Sequence, residues 1–174
     1  MKVLVLGIGN TLLSDEGIGV HVIQALHGRF TQEEQVELMD GGTLSFTLAE
    51  PIAETDALIV VDATLLESIP GTLRVFEGAL MDRFLTHNRK STVHEVGLAD
   101  LMTIAKLTGC WPTRRALVAI QPKEMTWGEY PTREVALAIP KACQCVHTII
   151  EGWRLDSSKP IRALSHAGMG SNAV

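Results

Sequence analysis

Residues 57–62, Ala-Leu-Ile-Val-Val-Asp, form an uninterrupted run of five apolar side chains that ends in an acid. An apolar run without alternation is typical of a strand that is buried on both faces, as in a parallel sheet. A helix that crosses a bilayer needs about 20 such residues, so this run is far too short for a membrane span. We therefore interpret it as a strand of a parallel sheet.

Other short apolar runs lie on both sides of this strand. Residues 2–6, 36–39 and 117–120 each end in turn residues and are predicted to be buried strands. Residues 72–76 alternate between polar and apolar side chains, which is typical of an edge strand.

Segments with helical periodicity separate these strands. Ser14 or Asp15 is expected to cap a first helix, because both side chains can accept hydrogen bonds from free backbone amides. Further helices are predicted at about residues 44–52, 97–108 and 132–153. The last one should kink or break at Pro140, which lacks an amide donor.

The alternation of strands and helices predicts an α/β fold. We expect a three-layer sandwich, in which a twisted, mostly parallel sheet of about five strands is flanked by helices. Residues 1–154 are expected to form this single domain, and residues 155–174 to form a loose polar tail.

The composition is that of a globular protein. Of 174 residues, 46% are hydrophobic, which excludes disorder caused by a shortage of apolar side chains. The net charge of −5, without a basic run, argues against nucleic acid and anionic membranes as partners. We expect a cytoplasmic protein, because no signal peptide is visible. Cys110, Cys143 and Cys145 are interpreted as reduced thiols, as is usual for cysteines in the cytosol.

Three polar side chains follow the predicted strands and could act together. The turns after the first three strands should lie side by side, because the carboxyl ends of parallel strands share one rim of the sheet. Glu16 follows the first turn, Asp62 ends the third strand and His94 precedes a helix. Two carboxylates and an imidazole suit Ni²⁺, Zn²⁺ or Fe²⁺. Each residue also has a local interpretation. Glu16 could be a charge that faces a helix dipole, Asp62 could cap a turn, and His94 could pack or form a local hydrogen bond.

Other chemistries find less support. Gly7 and Gly9 suggest a dinucleotide site, but the third glycine of that motif would fall at Leu12, which is not glycine. The acids Asp15 and Glu16 also place negative charge where a phosphate would bind. A tight turn is the simpler interpretation of the two glycines. Neither an HExxH nor a G-x-S-x-G motif is present.

Three aromatic side chains, Trp111, Trp127 and Tyr130, lie in predicted loops around the strand at residues 117–120. They could line a groove for a protein chain, or they could cover the hydrophobic core. The sequence leaves both interpretations open.

Four motifs occur in a fixed order and spacing, and their combination is far more specific than any one of them. They are Gly7-x-Gly9-Asn10-x-Leu12-x-x-Asp15-Glu16-x-x-Gly19, Asp40-Gly41-Gly42-Thr43, Val61-Asp62-Ala63 and His94-x-x-Gly97-Leu98-x-Asp100-Leu101. Together they resemble the nickel–iron hydrogenase maturation endopeptidases, and the similarity covers about residues 2–154.

This resemblance implies an activity and a set of site residues. Family members remove a C-terminal extension from the hydrogenase large subunit precursor after nickel has been inserted. By resemblance, Glu16, Asp62 and His94 contact the metal and carry catalysis, and the turn formed by Asp40, Gly41, Gly42 and Thr43 handles the substrate. The nickel comes with the substrate, although Zn²⁺ or Cd²⁺ could occupy the same position in vitro.

An alternative of another class is a nickel-sensing chaperone that binds the immature large subunit without cutting it. It stays open because the sequence shows no conventional protease nucleophile. Under either hypothesis we expect a monomer, since no long apolar helix face calls for a partner copy. We also expect no nucleotide cofactor, no nucleic acid partner and no membrane insertion.

Overall fold

A five-stranded sheet forms the centre of the computed structural model, which describes residues 1–31, 34–43, 45–87 and 97–158. The strands are β1 (Val3–Gly7), β2 (Val36–Asp40), β3 (Ala57–Ala63), β4 (Leu73–Glu77) and β5 (Arg114–Ile120). Their order across the sheet is β2-β1-β3-β5-β4. All neighbours are parallel except β4, which pairs antiparallel with β5 at one edge. The predicted mostly parallel sheet, with an edge strand near residues 72–76, is confirmed.

Helices cover both faces of this sheet. They are α1 (Ile18–Leu26), α2 (Ala49–Ala53), α3 (Ala79–His87), α4 (Leu98–Leu107), α5 (Arg133–Ala136) and α6 (Ile139–Ser158). One hydrophobic core joins the sheet to α1, α5 and α6, and a second joins its other face to α2, α3 and α4. Alternate residues of β3 enter the two cores, Ile59 the first and Leu58 the second. This arrangement is the predicted three-layer sandwich.

The register of the sheet brings three strand ends to one rim. Gly7, the last residue of β1, pairs with Asp40 on β2 and with Val61 on β3. Asp62 comes next along β3, opposite Ala119 of β5. The turns after β1, β2 and β3 are therefore neighbours, as predicted.

The segment predicted as one helix at residues 132–153 is divided. α5 ends at Ala136 and α6 begins at Ile139, so Pro140 lies in the first turn of α6, where its missing amide breaks no helical hydrogen bond. The predicted break at Pro140 is confirmed. α6 also continues through residues 155–158, which were assigned to the tail. Residues 159–174 lie outside the described residues.

One described helix, α3, was not predicted. Met81 is buried, and Phe84 and Leu85, three and four residues later, pack against the same core, so this segment does carry the apolar periodicity of a packed helix. None of the helices described combines the length and the apolar character that a membrane span requires.

Candidate active site

The carboxylates of Glu16 and Asp62 meet at the rim of the sheet. Glu16 lies in a 3₁₀ helix (Ser14–Gly17) and is 7% exposed, while Asp62 is partly buried near the end of β3. Burial of the carboxyl group and the nearby charge of Glu16 raise the pKa of Asp62 from its usual 3.8 to about 7, against a weaker opposing effect of the Ala63 backbone. Two of the three predicted metal contacts are thus close enough to interact.

This raised pKa makes Asp62 a source of pH-dependent stability. The folded protein holds the Asp62 proton up to a pH of about 7, whereas the unfolded chain releases it near 3.8. The contribution of Asp62 to the free energy of unfolding is therefore complete below pH 4 and is lost as the pH rises through 7.

We expect Asp62→Asn to become progressively more stable, relative to wild type, between about pH 4 and about pH 7, and the difference to level off above, because asparagine removes a charge that the folded state resists. Thermal unfolding over this pH range measures the difference in Tm. Glu151→Gln, which alters an exposed carboxylate on α6, should show no such trend. A pH-independent difference between Asp62→Asn and wild type would contradict the expectation.

Glycines of the first turn hold Glu16 against the sheet. Gly9 has a φ of +136°, and a Cβ atom at this position would lie 1.8 Å from the carbonyl oxygen of Glu16. Next to it, the amide of Ile8 donates to the carbonyl of Val61 over 2.9 Å, which ties the turn to the strand that carries Asp62. Close packing therefore requires glycine here, as the tight-turn interpretation predicted.

The turn at residues 40–43 lies directly beside this first turn. Its aspartate accepts a hydrogen bond from the amide of Gly42 over 2.8 Å. Backbone hydrogen bonds run from Gly41 to Gly7 over 2.8 Å and from Gly9 to Gly42 over 2.7 Å. The segment predicted to handle substrate is thus joined to the turn that holds Glu16.

The prediction that Ser14 or Asp15 caps α1 is wrong. Neither side chain caps a helix, and α1 begins after Gly17 instead. The carboxylate of Asp15 is fully buried and accepts hydrogen bonds from the loop that follows β5, here called the β5 loop (residues 121–132). The sequence gives no sign of this contact, because its two sides are 108–117 residues apart.

The aromatic side chains near β5 separate into two groups. Trp111 packs against the second core, and the Arg115 guanidinium lies 4.6 Å from the centre of its ring. Trp127 and Tyr130, in the β5 loop, are 84% and 78% exposed. Covering of the core is thus confirmed for Trp111 and wrong for the other two, while the groove for a protein chain stays a prediction.

Gln121 is a rim residue whose role the sequence did not reveal. It follows β5, is 8% exposed, and its side-chain oxygen accepts a hydrogen bond from the amide of Leu66 over 2.7 Å. Its side-chain nitrogen donates to the carbonyl of Pro122. This amide therefore holds the segment after β3 against the start of the β5 loop.

Comparison with known proteins decides the family. A family model described as hydrogenase maturation protease matches residues 20–149. The chain belongs to this family. As a hydrogenase maturation protease, it is a hydrolase that cuts a peptide bond within a protein chain.

Individual members of the maturation protease family show how far the similarity extends. The hydrogenase expression/formation protein HupD of Rhizobium leguminosarum bv. viciae is 35% identical over 153 residues, which is 87% of this chain and 75% of HupD. The hydrogenase 2 maturation protease of Escherichia coli K12 is 36% identical over 126 residues, 72% of this chain and 76% of that protein. The solved structure of the maturating endopeptidase HybD from E. coli superposes with a TM-score of 0.81, at 33% identity, over 88% of this chain and 94% of HybD.

His94 is the third predicted metal contact of this maturation protease. It belongs to residues 88–96, which are outside the described residues. Within the described ranges, no group of three or more His, Cys, Asp or Glu side chains could hold a metal ion. The described part of the chain thus contributes the two carboxylates of Glu16 and Asp62, and the role of His94 stays a prediction.

Proposed function

We propose that this maturation protease removes the C-terminal extension of a nickel–iron hydrogenase large subunit precursor after nickel insertion. The observation that supports this most directly is the pair of carboxylates, Glu16 and Asp62, at the rim of the sheet. The charge of Glu16 contributes to a pKa of about 7 at Asp62, because a second negative charge beside Glu16 is unfavourable. A divalent cation would relieve this repulsion, and the precursor brings one.

In this proposal the nickel stays attached to the precursor while Glu16, Asp62 and His94 bind it from the side of the protease. An incomplete protein site suits this task, because a complete one would fill with free metal before the substrate arrived. Zn²⁺ or Cd²⁺ can replace nickel at this position in vitro. The turn at residues 40–43 binds the precursor chain beside the metal.

The chemistry then needs a Lewis acid and a base. A divalent ion held by these residues would act as a Lewis acid on the scissile carbonyl or on the attacking water. One of the two carboxylates accepts the proton of the attacking water. Action as a monomer in the cytoplasm is part of the same proposal.

Intact-mass spectrometry tests the proposal. The large subunit precursor, either loaded with nickel or free of it, is incubated with this protein, and the mass of the precursor is then measured. The expected result is a mass loss equal to a C-terminal peptide, confined to the nickel-loaded precursor. Co-elution of this protein with the precursor, without any loss of precursor mass, would favour the non-cleaving chaperone. Equal cleavage of precursor with and without nickel would contradict the proposed recognition of the metal.

A further inference from the structure

Asp15, the neighbour of Glu16, is a buried charge whose hydrogen bonds all lead to one loop. Its carboxylate is fully buried and accepts hydrogen bonds from the amides of Lys123 and Glu124 over 2.8 and 3.0 Å. The amide and the hydroxyl of Thr132 donate to the same carboxylate over 2.6 and 3.0 Å. Hydrogen bonds to a charged acceptor are short and directional, so they fix the orientation of Asp15.

Ser14 strengthens this contact with the β5 loop. Its amide donates to the carbonyl of Gly128 over 2.7 Å, and its hydroxyl donates to the carbonyl of Thr126 over 2.9 Å. The amide of Gly128 donates back to the carbonyl of Leu12 over 3.0 Å. Ser14 itself has a φ of +47°, a left-handed conformation that is unfavourable for serine and that these bonds hold in place.

Glu16 is therefore held from two sides. On one side the first turn packs onto its carbonyl oxygen, where a Cβ atom on Gly9 would come within 1.8 Å. On the other side the preceding residue is tied to the β5 loop through its own carboxylate. Rotation of the backbone at Asp15 would move the Glu16 side chain relative to Asp62.

We propose that Asp15 is a positioning residue, which clamps the Glu16 segment to the β5 loop and so fixes the Glu16 carboxylate beside Asp62. This inference rests on the proposed function, in which Glu16 binds the metal of the precursor. It assigns Asp15 no contact with substrate.

Three variants test the clamp. Asp15→Asn replaces one carboxylate oxygen by an amide that donates, and in either orientation this amide faces a donor of the β5 loop. Thr132→Val removes one hydroxyl donor, and Thr132→Ser, the matched control, keeps it. Faster amide hydrogen exchange at residues 123, 124 and 132 in Asp15→Asn would show that the clamp has opened.

For cleavage of the nickel-loaded precursor well below Tm, we expect Asp15→Asn to lower kcat per folded molecule by about 100-fold, since small displacements of a reacting group have effects of this size. KM should rise less than kcat falls, because Glu16 loses its fixed position beside the nickel of the precursor while the turn at residues 40–43 still binds the precursor chain. The kcat of Thr132→Val should lie between those of Asp15→Asn and wild type, and the kcat of Thr132→Ser should equal that of wild type.

A second readout uses Cd²⁺ and needs no cleavage. Partial unfolding lowers the number of Cd²⁺ sites that titration calorimetry detects but leaves their Kd unchanged, whereas a displaced Glu16 raises the Kd by about 10–100-fold. The inference would be overturned if Asp15→Asn showed faster amide hydrogen exchange in the β5 loop and yet kept the kcat and the Cd²⁺ Kd of the wild type. If wild-type protein does not cleave the precursor, the proposed function is wrong, and the Cd²⁺ affinities alone then decide the inference. A wild-type chain that neither cleaves nor binds Cd²⁺ overturns both.

Discussion

Glu16→Gln is expected to lower the rate of precursor cleavage by at least ~100-fold while leaving the protein folded. Glutamine has nearly the same size and keeps one acceptor oxygen, but it removes the negative charge that faces the metal of the precursor. A ~100-fold loss corresponds to about 2.7 kcal/mol of transition-state stabilisation, which is reasonable for one ligand of a Lewis-acidic ion. The measurement is the rate at which the C-terminal peptide appears from nickel-loaded precursor.

The matched control is Glu151→Gln, the same change at an exposed position on α6, which should cleave at the wild-type rate. Asp62→Asn and His94→Gln are expected to lose activity to a similar degree, since both are assigned to the same ion. Undiminished cleavage by the variants at Glu16, Asp62 and His94 would remove the chemical basis of the proposed mechanism.

Gly19→Ala, which adds one methyl group to α1, is expected to destabilise the protein strongly. A Cβ atom at this position would lie 2.2 Å from the carbonyl oxygen of Val61 and 2.4 Å from that of Ile8. Backbone atoms on both sides cannot move without separating α1 from the end of β3. We expect a loss of about 3 kcal/mol or more in the free energy of unfolding, hence a Tm lower by about 6–12 °C.

Gly152→Ala provides the comparison for this experiment. Gly152 also lies in a helix, but a Cβ atom there would meet no heavy atom within 4 Å. Replacing a helical glycine by alanine then acts mainly on backbone entropy and should raise stability by about 0.5–1 kcal/mol. Differential scanning calorimetry of both variants separates the two effects. Equal shifts in Tm would show that the contact of Gly19 with the sheet is unimportant.

Much of the fold could be predicted because its strongest signals are local. The unbroken apolar run at residues 57–61 indicates burial on both faces, and it became β3, with both cores beside it. Pro140 is tolerated in the first turn of a helix but not in its interior, so the helical pattern around it divides just before it. α3 was not predicted even though its signal is also local, since Met81, Phe84 and Leu85 recur at helical spacing and pack in the second core.

The candidate site divides in the same way. Glu16 and Asp62 follow predicted strands, so strand order alone brings them to one rim. Asp15 was misread as a helix cap because an acid before a helix normally interacts with the amides of that helix, and here those of the β5 loop replace them. The exposure of Trp127 and Tyr130 likewise depends on the path of this loop, which no local pattern fixes.

The hydrogen bonds between Asp15 and the β5 loop also bear on the order in which the polypeptide is made. Synthesis proceeds from the N-terminus, so Glu16 and Asp62 leave the ribosome well before Thr132, which donates two of these bonds. Until that residue emerges, the Asp15 carboxylate lacks two of its four donors, and the proposed clamp on the Glu16 segment is incomplete. The Glu16 segment should therefore be among the last parts of the nascent protease to become ordered.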